Sequence, residues 1–362
     1  MLSDILSGIV PVDRELLRTA QSHLDNLTKP EGSLGLLEEI AARLVAISNG
    51  QKPCVQPGLI YTCAGDHGVA SAGVSLYPGD VTRQMVMNFM NKGAAVNVLA
   101  HTCGLELKVV DVGVCGEQFP EHELLVPARI CSGTEDLSRG PAMTEEDCRR
   151  AVDLGIDLAV RASERGIRTL CTGEMGIGNT TPSTALFCAL LGFEPLELAG
   201  AGTGLSPEGI EKKALVIRKG LEVNRDAVAG QDPMQILAAL GGLEIACLTG
   251  IILGGAWKRM NLVVDGFIST AAFVCAWKIN AFVQDYAFFS HLSAEKGHGA
   301  VLDRIRARPI LNLGMRLGEG TGAAMGYHVL RCAADLFNNM ATFEQARVSR
   351  QTLAGQQVKA QK

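Results

Sequence analysis

A glycine-rich segment around Glu174 combines groups that could bind an anion and exchange protons. It reads GEMGIGNTT over residues 173–181 and lies between a predicted strand and a predicted helix. Glycines such as Gly176 and Gly178 let the backbone approach a ligand, and the first N–H groups of a helix are available to an anion. The segment therefore predicts a phosphate or carboxylate site, with an ordinary tight turn as the alternative.

A second carboxylate, Glu319, lies between glycines in the apolar segment LNLGMRLGEGTG (311–322). Burial disfavours the charged form of a carboxyl group, so Glu319 would have a raised pKa. Such a group suits a general base that works near neutral pH. The spacing alone equally allows a glutamate that caps a helix.

A third glycine cluster, AGAGTGL (199–205), does not fit the known dinucleotide fingerprint. Leu205 occupies the last glycine position of GxGxxG, and the chain contains no GxxxxGK[ST]. A dinucleotide site and a Walker-type nucleotide site are therefore unsupported. Lys213 follows on the next predicted helix, where it could neutralise a phosphate or simply be solvated.

Two further groupings have weaker chemical readings. His291, Glu295 and His298 could resemble metal ligands, but their spacing is not HExxH and a loop does not place them on one helix face. We therefore expect no metal. Asp66 and His67 could form a catalytic pair, although an aspartate that holds a strand-end turn is the commoner arrangement. The chain has no GxSxG, which disfavours a serine hydrolase.

The elements that must position these groups alternate between strand and helix. This alternation over residues 51–309 predicts an α/β fold with a Rossmann-like, doubly wound and mostly parallel sheet. Residues 1–50 and 310–362 show helical patterns without clear strands, and we expect them to form one smaller helical domain. The end of the chain after residue 350 is expected to fray. In such sheets ligands bind beyond the carboxyl ends of the strands, where the glycines and acids recur.

The composition excludes several classes of function. The 362-residue chain has a formal net charge of −5 and no basic run, so nucleic acid is a poor partner. Its 11 cysteines include no CxxC pair, which favours reduced thiols in a cytoplasmic protein. The longest apolar stretch, residues 234–257, contains Glu244 and several glycines, so we expect a buried helix rather than a membrane span.

Several motifs taken together resemble those of one enzyme family. They are KPEGSLG (29–35), GDHGV (65–69), GEMGIGNTTP (173–182), VDGF (264–267), SHLSAEKG (290–297) and MRLGEG (315–320). Over residues 15–345 the chain resembles the nicotinate-nucleotide–dimethylbenzimidazole phosphoribosyltransferases. The resemblance implies that nicotinate mononucleotide and 5,6-dimethylbenzimidazole give nicotinate and α-ribazole 5′-phosphate, in assembly of the lower ligand of cobalamin. It also implies a homodimer that needs no cofactor and no metal.

The resemblance assigns roles to individual residues. Glu319 matches the general base of the family, and Glu174 matches a second carboxylate near the ribose. Asp265 would support these two carboxylates from behind. The positions that match those holding the phosphate and ribose of the nucleotide are Gly176, Gly178, Gly202, Lys213 and Ser293.

The predicted acceptor pocket departs from the family pattern. Better-known members have a serine before the proline and a glutamine a few residues later, whereas this chain has Tyr77 and Met85, with Gln84 adjacent. With Leu317, Tyr77 and Met85 would line a pocket for a differently substituted benzimidazole or another heterocycle. A hydrolase that transfers the ribosyl group to water, a non-catalytic nucleotide binder and an interaction protein are the alternatives.

Overall fold

The computed structural model describes residues 2–202 and 204–349. Thr203 of the third glycine cluster and the expected frayed end from residue 350 lie outside the described residues. The chain divides into two compact units. One unit contains Val55–Val329 with the described residues before Val12, and the other contains Val12–Cys54 with the described residues from Leu330 onward.

The described strands form one parallel sheet of seven strands in the order β3-β2-β1-β4-β5-β6-β7. The predicted α/β fold is thereby confirmed, since this order extends the one typical of doubly wound dinucleotide-binding folds. The strands are β1 (Gly58–Gly65), β2 (Leu105–Gly113), β3 (Leu125–Pro127), β4 (Thr169–Met175), β5 (Asn261–Val264), β6 (Ala287–His291) and β7 (Pro309–Leu311).

Helices connect all consecutive strands except β2 and β3, and two 3₁₀ segments, Gly68–Ala72 and Ala281–Tyr286, follow β1 and precede β6. The α-helices of the described chain are α1 (Leu2–Gly8), α2 (Arg14–Asp25), α3 (Leu36–Ile47), α4 (Asp80–Met90), α5 (Ala95–Cys103), α6 (Glu145–Glu164), α7 (Thr180–Leu191), α8 (Pro195–Leu198), α9 (Pro207–Val223), α10 (Arg225–Gly230), α11 (Pro233–Leu240), α12 (Leu243–Trp257), α13 (Phe267–Ile279), α14 (His298–Arg304), α15 (Thr321–Asn339) and α16 (Phe343–Ala346).

Three local features differ from the sequence-based expectations. The helix expected over residues 80–100 is two helices, α4 and α5, separated by a turn at Gly93. The short edge strands β3 and β7 were not expected, because three residues are too few to show an alternating pattern. β7 is notable because it adds to the sheet a segment near residue 310 that was expected to be helical.

The apolar stretch around Glu244 forms the buried helix α12, which packs on α6. A Cβ atom at Gly155 of α6 would lie 1.9 Å from the carbonyl oxygen of Cys247, and one at Gly250 of α12 would lie 2.0 Å from that of Val152. Glycine is therefore required for the two backbones to touch. Among the described helices, none has both the length and the apolar character that crossing a membrane requires.

The smaller unit contains the KPEGSLG motif in the connection between α2 and α3. Lys29 Nζ lies 2.8 Å from Glu38 Oε1, and both side chains are almost completely buried. Glu38 Oε1 also accepts the backbone N–H of Leu34 at 3.0 Å. The motif thus encodes a turn fixed by an internal ion pair.

Candidate active site

A cavity of about 520 Å³ opens beyond the carboxyl ends of β4, β5 and β6. All of its lining residues belong to the larger unit. They are Val74, Ser75, Tyr77, Val81, Met85, Glu174, Met175, Gly176, Ile177, Gly178, Asn179, Thr180, Gly202, Gly266, Phe267, Ile268, His291, Ser293, Glu295, Arg316, Leu317, Gly318 and Glu319. Most residues singled out in the sequence therefore lie at one cavity, while Lys213 and Asp265 lie behind its wall.

Glu174 stands near the end of β4 and is only 6% exposed. Burial raises the pKa of Glu174 to about 8; the Asn179 amide, which donates to Glu174 Oε2, opposes this rise, and the charges of neighbouring acids add to it. Gly318 has a φ of 83°, and a Cβ atom there would lie 2.2 Å from Glu174 Oε1. Only glycine lets the turn before Glu319 approach Glu174 this closely.

Glu319 sits in a turn that is held by its backbone against β1 and β4. Its φ is 64°, in the left-handed region that non-glycine residues seldom adopt. Its carbonyl accepts the hydroxyl of Thr62 at 2.8 Å, and a Cβ atom at Gly173 would lie 2.3 Å from that carbonyl oxygen. The turn is therefore anchored by its backbone, which fixes where the side chain can go.

The Glu319 carboxylate is 5% exposed, and burial raises its pKa to about 7, opposed by a backbone hydrogen bond from Val96 at the start of α5. The charge of Asp265 raises the pKa further. Glu319 Oε2 has no hydrogen-bond partner among the described residues. One oxygen of a carboxyl group with a near-neutral pKa is thus buried at the cavity wall without a hydrogen bond from the described residues.

Asp265 follows β5 and holds the turn that carries Glu319 by accepting two backbone hydrogen bonds. Its Oδ2 accepts the N–H of Gly320 at 3.2 Å, and its Oδ1 accepts the N–H of Ala323 at 2.7 Å. Burial raises the pKa of Asp265 to about 7, opposed by its backbone hydrogen bonds. Asp265 does not line the cavity, and it acts on Glu319 through these backbone hydrogen bonds and through its charge.

The residues expected to hold a phosphate converge beside α7. Gly176, Gly178, Gly202 and Ser293 line the cavity. Lys213 is fully buried on α9, and its Nζ donates to the Thr180 hydroxyl at 2.6 Å. Burial lowers the pKa of Lys213 to about 8, opposed by the charge of Glu295.

The Gly202 N–H does not point freely at the cavity, because it donates to Glu295 Oε1 at 3.0 Å. Sequence reasoning gave Glu295 no role in anion binding, and it also passed over Arg316, whose guanidinium donates to the Gly202 carbonyl at 3.0 Å. Both residues lie in motifs that carried the resemblance, yet no spacing rule connects them with a loop about a hundred residues earlier.

The three residues expected at the acceptor pocket also line the cavity. Tyr77 is 55% exposed and Leu317 is 56% exposed, so both stand at the mouth, with Met85 nearby on α4. Exposed aromatic and aliphatic side chains at an opening favour a flat apolar ligand. Gln84 does not line the cavity.

Asp66, His67 and His298, which belong to the remaining candidate groupings, have structural partners. Asp66 Oδ2 accepts the N–H of Cys115 at 2.8 Å, whereas His67 Nε2 lies 2.7 Å from Glu244 Oε1. The two residues therefore form no catalytic pair, and Asp66 holds a turn after β1, as the commoner arrangement predicts. His298 binds the Thr270 hydroxyl through one ring nitrogen and a backbone N–H through the other. Its nitrogens are therefore occupied rather than available to a metal.

Comparison with known proteins gives a single result. A sequence model of a family described as phosphoribosyltransferase matches residues 9–348. The nicotinate-nucleotide–dimethylbenzimidazole phosphoribosyltransferase of Solidesulfovibrio magneticus is 54% identical and covers 96% of this chain and 99% of that protein. The protein of the same name from Oleidesulfovibrio alaskensis is 56% identical, with coverages of 96% and 98%.

A solved structure agrees with these relatives. The crystal structure of CobT from Thermus thermophilus matches with a TM-score of 0.88 at 42% identity, over 93% of this chain and 100% of that one. Sequence and fold thus agree over almost the full length. The chain belongs to the family of nicotinate-nucleotide–dimethylbenzimidazole phosphoribosyltransferases.

Proposed function

We propose that this protein transfers the phosphoribosyl group of nicotinate mononucleotide to 5,6-dimethylbenzimidazole or a related base. The products are nicotinate and the α-ribazole 5′-phosphate used for the lower ligand of cobalamin. The observation that carries the proposal is the pair Glu174 and Glu319, two buried carboxyl groups facing one cavity in a chain of this family.

Glu319 is the proposed general base. Its carboxylate takes the proton from one nitrogen of the benzimidazole, and the other nitrogen attacks C1′ of the ribose. The glycosidic bond breaks, and its electron pair neutralises the ring nitrogen of the departing nicotinate. A pKa of about 7 suits this task, and a positioned base contributes roughly 10²–10⁴-fold to the rate. Attack from the face opposite nicotinate inverts C1′ from β to α.

Glu174 is proposed to stabilise the positive charge that develops on the ribose during transfer. Its position against Gly318 keeps it beside the turn that carries Glu319, and the Asn179 amide orients it. Because burial raises the pKa of Glu174 to about 8, the group is largely protonated near neutral pH, and the partial negative charge of its carboxyl oxygen stabilises the developing positive charge more strongly in this buried site than it would in water. Asp265 supports the pair by fixing the Glu319 turn.

The nucleotide phosphate is proposed to bind beside the start of α7. Lys213 and Thr180 supply an ammonium and a hydroxyl, while Gly176, Gly178 and the N-terminus of α7 supply a close backbone approach. Ser293 would reach the ribose or phosphate from the opposite wall. Gly202 contributes a left-handed backbone conformation, with a φ of 53°, rather than a donor, because its N–H already donates to Glu295.

The acceptor base is proposed to enter between Tyr77, Met85 and Leu317. These side chains would cover the reacting atoms, which matters because water could otherwise attack C1′.

We also propose that the enzyme is a cytoplasmic homodimer. Analytical ultracentrifugation at low micromolar concentration would test whether the protein is a dimer.

A product assay tests the function directly. The purified protein is incubated with nicotinate mononucleotide and a panel of benzimidazoles, and the products are identified by liquid chromatography and mass spectrometry. We expect nicotinate and a ribazole phosphate in equal amounts, with no requirement for added metal. Ribose 5-phosphate as the sole sugar product would instead show a hydrolase, and no turnover with any base would favour a nucleotide binder.

A further inference from the structure

The backbone N–H and carbonyl of Gly202 are both bound by charged side chains that line the cavity. Its N–H donates to Glu295 Oε1 at 3.0 Å, and its carbonyl accepts from Arg316 at 3.0 Å. Glu295 is 8% exposed. A carboxylate on this N–H is unexpected beside a phosphate site, because its charge repels the phosphate, so its presence needs a physical reason.

Glu295 is fixed in place by its surroundings. A Cβ atom at Gly200 would lie 2.4 Å from Glu295 Oε1 and 3.1 Å from Lys296 Cβ, so the carboxylate fits only because residue 200 is glycine. The N–H of Glu295 donates to the Ser293 hydroxyl at 3.2 Å, and the N–H of Ser293 donates to His298 Nδ1 at 2.9 Å. The position of the Glu295 side chain in the cavity wall is therefore fixed by its neighbours.

The negative charge of Glu295 stabilises the ammonium form of Lys213. Its Nζ donates to the Thr180 hydroxyl at 2.6 Å, and a Cβ atom at Gly202 would lie 3.3 Å from that hydroxyl oxygen and 3.5 Å from Nζ. The lysine, the hydroxyl and the Gly202 loop therefore meet at one point. The groups that face the ammonium are Thr180 from α7, the Gly202 loop, and Glu295 from the segment after β6.

Burial and charge oppose each other at Lys213. Removal from water lowers the pKa of the ammonium to about 8, and the Glu295 carboxylate limits that lowering. Arg316 also approaches this loop, since its guanidinium donates to the Gly202 carbonyl, and Glu295 is the group whose charge favours the ammonium form of Lys213. A neutral amine would bind a phosphate far more weakly than an ammonium does.

We propose that Glu295 is a positioning residue for the nucleotide phosphate, which shapes the Gly202 loop over Thr180 and keeps Lys213 charged before the nucleotide arrives. It acts through Lys213 and Gly202 and does not contact the reacting atoms. The inference rests on the proposed function, since the anion is the phosphate of nicotinate mononucleotide. The two tasks are separable, because one needs a hydrogen-bond acceptor and the other needs a charge.

Two variants separate these tasks. Glu295→Gln keeps an oxygen that can accept the Gly202 N–H and removes the charge, whereas Glu295→Ala removes both. Glu211→Gln is the matched control, because it removes an exposed carboxylate from α9 two residues before Lys213. KM for nicotinate mononucleotide and kcat are measured for each protein between pH 6 and pH 9.

With Glu295→Gln we expect KM at pH 6 to be equal to or below that of the wild type, because Lys213 is protonated in both. As the pH increases, KM of the Glu295→Gln variant should begin to rise at a lower pH than KM of the wild type. Since one pKa unit changes the protonated fraction tenfold on the alkaline side, KM at pH 8 should be about three- to tenfold above the wild type. The value of kcat should stay within about twofold, and Glu295→Ala should raise KM at every pH.

Several results would overturn the inference. A ratio of KM values that is the same at all pH for Glu295→Gln rejects the charge role, and an alanine variant that matches the glutamine variant at pH 6 rejects the loop role. If the alanine variant does not fold, the pH dependence of the glutamine variant still decides. Absence of ribazole phosphate from the wild type would reject the proposed function itself, a different outcome from active wild type with pH-independent ratios.

Discussion

Replacement of Glu319 by glutamine should reduce activity and raise stability, and the pH dependence of both effects follows from burial. The pKa of Glu319 is raised to about 7, so the fraction of enzyme with an ionised base falls about tenfold per pH unit below 7. The wild type should therefore lose kcat/KM with unit slope on the acid side. The Glu319→Gln variant should lack this limb and be slower at pH 8 by roughly 10²–10⁴-fold.

The stability effect has the opposite sign. The pKa of Glu319 rises from 4.5 to about 7 on folding, so the folded protein holds the proton more tightly than the unfolded chain does. The wild type then loses stability as the pH rises from 4.5 to 7, on the order of 3 kcal/mol for this group. Glutamine has no charge to bury, so the variant should match the wild type near pH 4.5 and exceed it at pH 8.

Denaturant unfolding at pH 5 and pH 8, followed by circular dichroism, measures the second effect beside the kinetics. The acceptor base also titrates, so the acid limb is recorded with two benzimidazoles of different basicity; a limb that belongs to Glu319 stays in place when the acceptor changes. The reasoning fails if the variant is destabilised equally at both pH values, or if it retains the acid limb. Either result would mean that Glu319 is not a buried base.

Three other changes test separate parts of the structure. Gly155→Ala should destabilise the protein by at least about 3 kcal/mol or prevent folding, because α12 leaves no room for a Cβ atom, whereas Gly140→Ala, with no atom within 4 Å of its Cβ position, should unfold like the wild type in urea. Asp265→Asn should lower kcat by about 10²-fold, with little change in KM, because its amide group would face a backbone N–H that the carboxylate now accepts. The double replacement Tyr77→Ser with Met85→Gln should shift the preference among benzimidazoles toward 5,6-dimethylbenzimidazole, as measured by competition between two acceptors; an unchanged product ratio would remove both residues from the acceptor pocket.

The architecture could be predicted from the sequence because its strongest signals are local. Buried strands such as β4 and β6 end in residues able to do chemistry, and the parallel order brings those ends to one edge of the sheet. Glu174 and Glu319 were therefore candidates from their glycine-rich turns, whereas their individual roles were predicted only from the family resemblance. The short strands β3 and β7 were missed because their formation depends on a neighbouring strand rather than on their own pattern.

The contacts that tune the site could not be predicted, because they join segments far apart in the chain. Glu295 meets Gly202 across 93 positions, and Thr62 meets the Glu319 carbonyl across 257. A periodic pattern of residue types within one segment carries no information about such a distant contact. The same limit explains why Asp66 and His67, which are neighbours in sequence, suggested a pair although each binds a different distant partner.

The abundance of glycine has two causes that the sequence does not separate. In α6 and α12 glycine removes a Cβ atom so that two helices can touch, and any side chain there would strike a backbone carbonyl at about 2 Å. In the turn around Glu319, Gly318 and Gly320 have φ values of 83° and 98°, so they also supply a backbone conformation. The second use couples shape to chemistry: the turn brings the backbone against Glu174 and β4, which removes water from both carboxyl groups and raises their pKa values. The glycines thus help to bring the pKa of Glu319 close to neutral pH, although they carry no functional group themselves.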